Sequence, residues 1–153
     1  MSTLIDELRQ EHVEVLAQIA RAGPRLADAG ICARFLDYLE HEVTTHFTAE
    51  EEALFPELAR IPSIASGPLR IMNAEHQTFR DLLQSARRAR HNGDDHKLPL
   101  IAADLATLLQ GHIAKEDGVL FPLALDLLTE EQLERVDSGD ASSSAEVGGR
   151  TSG

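Results

Sequence analysis

Apolar residues recur three and four positions apart along most of the chain, with polar residues filling the gaps. That spacing marks amphipathic helices, and four long stretches carry it. In the first, Leu4, Leu8, His12, Val15 and Ile19 form one face, with Ile5 and Leu16 beside it. Thr3 and Asp6 stand at capping-box spacing, so this helix is predicted to start at Ser2 or Thr3, and Gly23-Pro24 ends it. Residues 24–30 form an ambiguous connection. The second helix is expected from about Cys32 to about Arg60, with Phe35 or Leu36, Leu39, Val43, His46, Glu50 and Leu54 on its stripe. Pro56 falls late in it and predicts a kink or a reset near Ala53. Ile61 to Pro68 reads as a loop. A third helix starts around Pro68 and carries Leu69, Met72, His76, Phe79, Leu83 and Ala86. Arg87, Arg88 and Arg90 suit its negative C-terminal end, and His91 to His96 form a turn. The fourth runs from about Lys97 to Leu128, with Leu98, Ile101, Leu105, Leu108, His112, Glu116, Val119 and Leu123 on one face, interrupted by Gly118 and Pro122. Thr129 and Gln132 can cap a short helix to Val136.

No segment reads as a strand. Four long helices joined by short connections predict an all-α, up-down-up-down antiparallel four-helix bundle with a short C-terminal helix. The alternative is the same bundle assembled between two chains, so the expected state is monomer or homodimer. Residues 1–136 are expected to form the bundle. From Asp137 to Gly153 large apolar residues all but vanish, which predicts a disordered tail.

Length and charge narrow the function. At 153 residues the chain fits one domain. The formal net charge of −12 argues against binding nucleic acid or an anionic membrane surface. No apolar run approaches a membrane span, and no signal peptide stands at the N-terminus, so the expected location is the cytoplasm. The single cysteine, Cys32, fits a reducing compartment and a buried place at a helix start.

The chain also repeats itself. His46-Phe47-Thr48-Ala49-Glu50-Glu51-Glu52-Ala53-Leu54-Phe55-Pro56 matches His112-Ile113-Ala114-Lys115-Glu116-Asp117-Gly118-Val119-Leu120-Phe121-Pro122. Upstream of each stands a Glu-His pair, Glu11-His12 and Glu75-His76. One unit is written twice. On a helix, positions i and i+4 share a face, so each His-x3-Glu sets an imidazole beside a carboxylate. His12, His46, Glu50, His76, His112 and Glu116 all fall on core-facing stripes. A buried carboxylate is costly unless it is paired or binds metal, and no Arg or Lys lies on these stripes near the six. A buried network without metal is the competing structural explanation. Mixed imidazole and carboxylate donors without thiolate point to iron, with manganese or zinc as lesser fits. Six donors, two able to bridge, suit two metal ions better than the closed four-ligand site of structural zinc.

At these residues the chain resembles the hemerythrin-like (HHE) family, over roughly residues 4 to 128. The resemblance implies a four-helix bundle holding two carboxylate-bridged, oxo- or hydroxo-bridged iron ions, with His12, His46, Glu50, His76, His112 and Glu116 as ligands. Two positions depart from the oxygen-carrying members. Arg80 stands where they have a further histidine, and Glu116 rather than Asp117 matches Glu50. This four-His, two-Glu set is similar to an intracellular branch that includes iron–sulfur repair proteins, an iron-sensing domain and proteins with catalase-like activity. The implied function is binding and processing of H2O2, O2 or NO, in the enzymatic version by peroxide disproportionation. Non-enzymatic O2 or iron binding, or sensing, is the alternative. The cysteine-bearing N-terminal extension of the repair proteins is not seen, which weakens that role as an expectation. His91 and His96 are expected to be solvated, His41 to be exposed with an alternative use as a ligand, and Tyr38 to be core or a donor near the site. Glu11 and Glu75 are expected in surface salt bridges, with orientation of a neighbouring imidazole as their other use.

Overall fold

The computed structural model describes residues 1–139. Its helices are α1 (Thr3–Ala22), α2 (residues 29–58), a one-turn α3 (Pro62–Ala65), α4 (Pro68–Asn92), α5 (residues 98–127) and α6 (Glu130–Ser138). There is no strand among the described residues. Helices α1, α2, α4 and α5 form the antiparallel bundle that the apolar spacing predicts. No helix among the described residues is long and apolar enough to cross a membrane.

Local chemistry sets the helix ends. Ser2, not Thr3, caps α1: its hydroxyl accepts from the Ile5 N–H at 3.2 Å. Asp137 completes the cap from the other end of the chain. It accepts from the Thr3 and Leu4 N–H groups at 3.2 and 3.1 Å and from the Ser2 hydroxyl. The Thr3–Asp6 box is therefore replaced by a better acceptor brought in by tertiary structure. Asp28 caps α2, accepting from the Ile31 N–H, so that helix begins at Ala29, earlier than Cys32. Gly93, at φ 74°, ends α4 in a left-handed conformation that favours glycine. The predicted loop after α2 contains α3, which buries Ile64. Thr129 and Gln132 form the expected capping box, and α6 extends through Asp137 to Ser138. Of the expected disordered tail, residues 140–153 lie outside the described residues.

Asp137→Ala removes a carboxylate that satisfies two otherwise free N–H groups at the start of α1. The expected loss is about 1–2 kcal/mol, read as a lower midpoint in urea with an unchanged slope.

The late prolines widen the helix rather than break it. Proline has no N–H, and its ring collides with the carbonyl four residues back. In α2 residues 50–54 form a π turn, in which the Phe55 N–H reaches back five residues to the Glu50 carbonyl. In α5 residues 116–120 do the same, with the Phe121 N–H on the Glu116 carbonyl. Each π turn begins on a repeated glutamate and ends just before Phe-Pro. The extra residue rotates the remainder of the helix by about 100°. As a result Leu120 and Phe121, at 1% and 0% exposure, take the core position expected for Val119, which is 48% exposed. A third π turn spans residues 39–43, with no proline after it.

The apolar core is divided in two. One cluster contains Val15, Ile19, Val43, Phe47, Phe79, Leu83, Leu109 and Ile113, among others. The second gathers Leu8, Leu54, Phe55, Met72, Leu120 and Phe121 with residues of α3 and α6. On each long helix the boundary between them is a polar residue: His12, His46 with Glu50, His76, and His112 with Glu116.

Candidate metal centre

All six sequence-predicted residues meet in that boundary layer, and each is 5% exposed or less. Their inward atoms fall into two overlapping groups. His12, His46, Glu50 and Glu116 form one, and Glu50, His76, His112 and Glu116 the other, with the donor atoms of each group within 4.8 Å of one another. Glu116 Oε1 lies 3.1 Å from His12 Nε2 and 3.3 Å from His112 Nε2. Glu50 reaches His76 Nε2 at 3.2 Å through Oε1 and His46 Nε2 at 3.6 Å through Oε2. Both glutamates thus face both histidine pairs.

A second layer of carboxylates holds the imidazoles from behind. His12 Nδ1 is 2.8 Å from Asp117 and His46 Nδ1 is 2.7 Å from Glu11. His76 Nδ1 is 2.7 Å from Glu51 and His112 Nδ1 is 3.0 Å from Glu75. An ionised carboxylate only accepts, so a neutral ring held this way donates its Nδ1–H outward and can turn its Nε2 lone pair to a cation in the centre. Glu11 and Glu75 therefore take the second of their two expected uses, orienting an imidazole, and Glu75 also makes the expected salt bridge, to Lys115. Asp117 stays out of the inner group because it turns to His12. The repeat explains the pattern: Glu11 and Glu75 serve the histidine of their own half, while Glu51 and Asp117 cross to the other half. Aromatic rings cross in the same way. Phe121 stacks on His12 at 5.5 Å and Phe55 on His76 at 5.2 Å, while Phe47 lies against His76 at 3.7 Å.

Among the described residues, ion pairs from Arg or Lys to these outer carboxylates occur on one half only. Arg80, at the place where oxygen-carrying members have a further histidine, forks onto Glu51 with two hydrogen bonds of 2.7 Å. Lys115 pairs with Glu75. Glu11 and Asp117 make no ion pair with Lys or Arg among the described residues; the guanidinium of Arg9 instead sits over the Phe121 ring at 5.8 Å. The His46 side borders a cavity of about 300 Å³ lined by Glu11, Glu14, Val15, Tyr38 and Glu42. Tyr38 is thus at the rim, half-buried, and burial together with Glu14, Glu42 and Glu11 raises its pKa. His41, His91 and His96 are exposed and lie outside the cluster.

Electrostatically the inner layer is poised for a cation. Burial, then the Glu116 charge, pushes the Glu50 carboxyl well above its usual range. Burial also opposes the charge on Glu116, but a protonated Glu50 and the His112, His12 and His46 imidazoles outweigh it and hold Glu116 low. Burial takes His76 down to about 4 against the pull of Glu51, which keeps that ring neutral. Among the described residues, five buried side-chain atoms lack a well-formed hydrogen bond: both Glu50 oxygens, Glu116 Oε2, His76 Nε2 and His112 Nε2. Unsatisfied buried polar atoms are expensive, and all five belong to residues of the two groups. The donor set therefore fits a metal site.

The hemerythrin HHE cation-binding domain model matches residues 3–124. The chain belongs to the hemerythrin HHE family. Among curated relatives, this HHE chain is 29% identical over 141 residues to a protein of Cronobacter sakazakii named iron-sulfur cluster repair protein YtfE, a match that takes in 78% of the chain and 60% of that protein. It is 29% identical over 136 residues to the YtfE of an Enterobacter species, again 78% of the chain and 60% of the relative. With the Escherichia coli O157:H7 YtfE it shares 32% over 104 residues, 60% of the chain and 46% of the relative. The HHE chain thus spans about half to 60% of the length of these relatives. No solved structure matches it.

The six residues expected from the repeat are the ones that come together in the core, and the places of Glu51, Phe55 and Phe121 beside them were not foreseen. The signal was present: all three belong to the repeated segment, at the same offset from the histidine in each half.

Proposed function

We propose that this domain is a cytosolic non-haem di-iron protein that binds and processes a small neutral oxidant, H2O2, O2 or NO. In this reading His12 and His46 hold one iron, His76 and His112 the other, and Glu50 and Glu116 are shared. The observation that carries it is the pair of overlapping two-His, two-Glu groups, buried and lined by unpartnered acceptors. Hard carboxylates mixed with imidazoles and no thiolate favour iron over a structural zinc.

Bound iron would supply one-electron redox chemistry and open positions for the oxidant. The chain's own residues do the rest. The four outer carboxylates fix each ring with its Nε2 inward. Phe47, Phe55 and Phe121 wall the centre, and the two apolar clusters exclude water from both ends of it.

Metal analysis of the purified protein is the direct test. About two irons per chain are expected, and a chain that takes up no iron would sink the reading. His46→Ala and Glu116→Ala should each lower the iron content. Oxygen evolution from H2O2 by the loaded protein supports the catalase-like version. A fully loaded protein without turnover moves the reading to O2 or iron binding or sensing. The names of the relatives favour a second reading, a part in iron–sulfur cluster repair. It is supported if the iron-loaded protein restores activity to an enzyme with a damaged cluster and the iron-free protein does not.

Glu51→Gln tests the outer layer. It weakens the acceptor behind His76 and frees Arg80. Iron affinity is expected to fall about 10- to 100-fold, measured by competition with a chelator of known strength, while the far-ultraviolet circular dichroism is unchanged.

A further inference from the structure

The two halves of the centre are alike in their inner donors and unlike in the charge behind them. Behind His76 and His112 stand Glu51 and Glu75, each neutralised by a cation, Arg80 and Lys115. Behind His12 and His46 stand Asp117 and Glu11, which have no such partner among the described residues. Glu14 and Glu42 line the cavity beside Glu11 and add to the negative charge on that side. Arg9, on the same helix as Glu11, is engaged with the Phe121 ring, and Arg21 acts on Tyr38 at the cavity without an ion pair to Glu11 or Asp117 among the described residues.

A carboxylate free of a counter-ion is the stronger hydrogen-bond acceptor. It leaves more electron density on the imidazole it holds, and so makes that Nε2 the better donor to a cation. Its own charge also acts on the cation directly. Both effects favour the same half. The repeat shows where the difference is written. Arg80 stands four residues after His76, and the equivalent place after His12 is Leu16. Lys115 stands three residues after His112, and the equivalent place after His46 is Ala49.

We propose that the centre fills in order, the His12–His46 half binding the first cation and the His76–His112 half the second, because Arg80 and Lys115 neutralise the carboxylates behind the second half. This rests on the di-metal reading above. The same asymmetry makes the His12–His46 half the better holder of the more highly charged ion.

The test uses the full-length protein freed of metal and titrated with Zn2+, which is redox-silent and accepts imidazole and carboxylate donors. Imidazole resonances are followed by 15N NMR, with total binding followed by calorimetry. At one equivalent the His12 and His46 signals are expected to shift, and those of His76 and His112 only towards the second. Second-ion repulsion alone separates two affinities, so the order of filling is what decides. In Arg80→Gln/Lys115→Gln the preference is expected to vanish, with the two affinities drawing together by about tenfold or more. In Leu16→Arg/Ala49→Lys, which supplies the missing cations to the first half, it should vanish likewise by weakening of the first site. Simultaneous filling in the unmodified protein, filling of His76–His112 first, or an order untouched in both double variants overturns the proposal. Two bound ions with no order refutes only this inference, whereas no saturable binding at all refutes the metal-centre reading and the ordering with it.

Discussion

Stripping the cations from this domain is expected to lower its melting temperature by roughly 8–16 °C at neutral pH. A ligand present at about a thousand times its Kd stabilises the folded state by about 4 kcal/mol, and a domain of this size shifts by about 2–4 °C per kcal/mol. The structural reason lies in the boundary layer. Without cations, Glu50 and Glu116 share a buried space and five polar atoms go unpartnered. Each bound ion satisfies several of them at once, so the binding energy appears directly as folding energy. Calorimetry before chelation, after it, and after restoring iron measures the shift. A melting temperature indifferent to chelation would show that the layer is satisfied by protein alone, as the network without metal requires.

Glu50→Gln should separate stability from function with opposite signs. In the metal-free protein Glu50 keeps its proton far above the usual carboxyl range, because burial and then Glu116 oppose its charge. The unfolded chain releases that proton near the ordinary pKa of 4.5. Folding above that pH therefore takes up a proton, and the contribution of Glu50 to stability falls as pH rises towards its raised folded value. Glutamine cannot titrate, and its amide can donate to Glu116. The metal-free variant is expected to be the more stable of the two above the ordinary carboxyl pKa, with the gain growing as pH rises from there towards neutrality. Iron uptake should fall by at least about tenfold, since a charged oxygen facing both halves becomes a neutral amide. Denaturation of the two metal-free proteins across that pH range decides the matter. A gain that is flat with pH would show that Glu50 does not hold a proton there.

The sequence made the bundle legible because its helices are long and their apolar spacing is strict. It made the inner six legible because buried polar residues on an apolar stripe are costly and these were repeated. What escaped had physical causes. The core position after Glu116 went to Leu120 rather than Val119 because a helical wheel assumes one uniform rise, and Pro122 imposes a wider turn. Glu11 and Glu75 looked like surface charges because a sequence neighbour of a core residue points about 100° away from it. That direction leads to the adjacent helix, where an imidazole edge is waiting. The cap on α1 was invisible because half of it comes from Asp137, more than 130 positions away. Arg80 was legible as a departure from pattern, but its use as a clamp on Glu51 was a matter of tertiary geometry.

The crossed layer has a consequence for how such a chain can change. Asp117 holds His12, Glu51 holds His76, Phe121 covers His12 and Phe55 covers His76. Each hairpin therefore finishes the other's histidine, as two identical subunits would across a dimer axis. A single hairpin, paired with its own copy, contains every part the centre needs. Covalent linkage of the two copies is what frees them to diverge, and the lone Arg80 and Lys115 record that freedom: a strictly symmetric pair of hairpins would have to carry both cations twice or not at all.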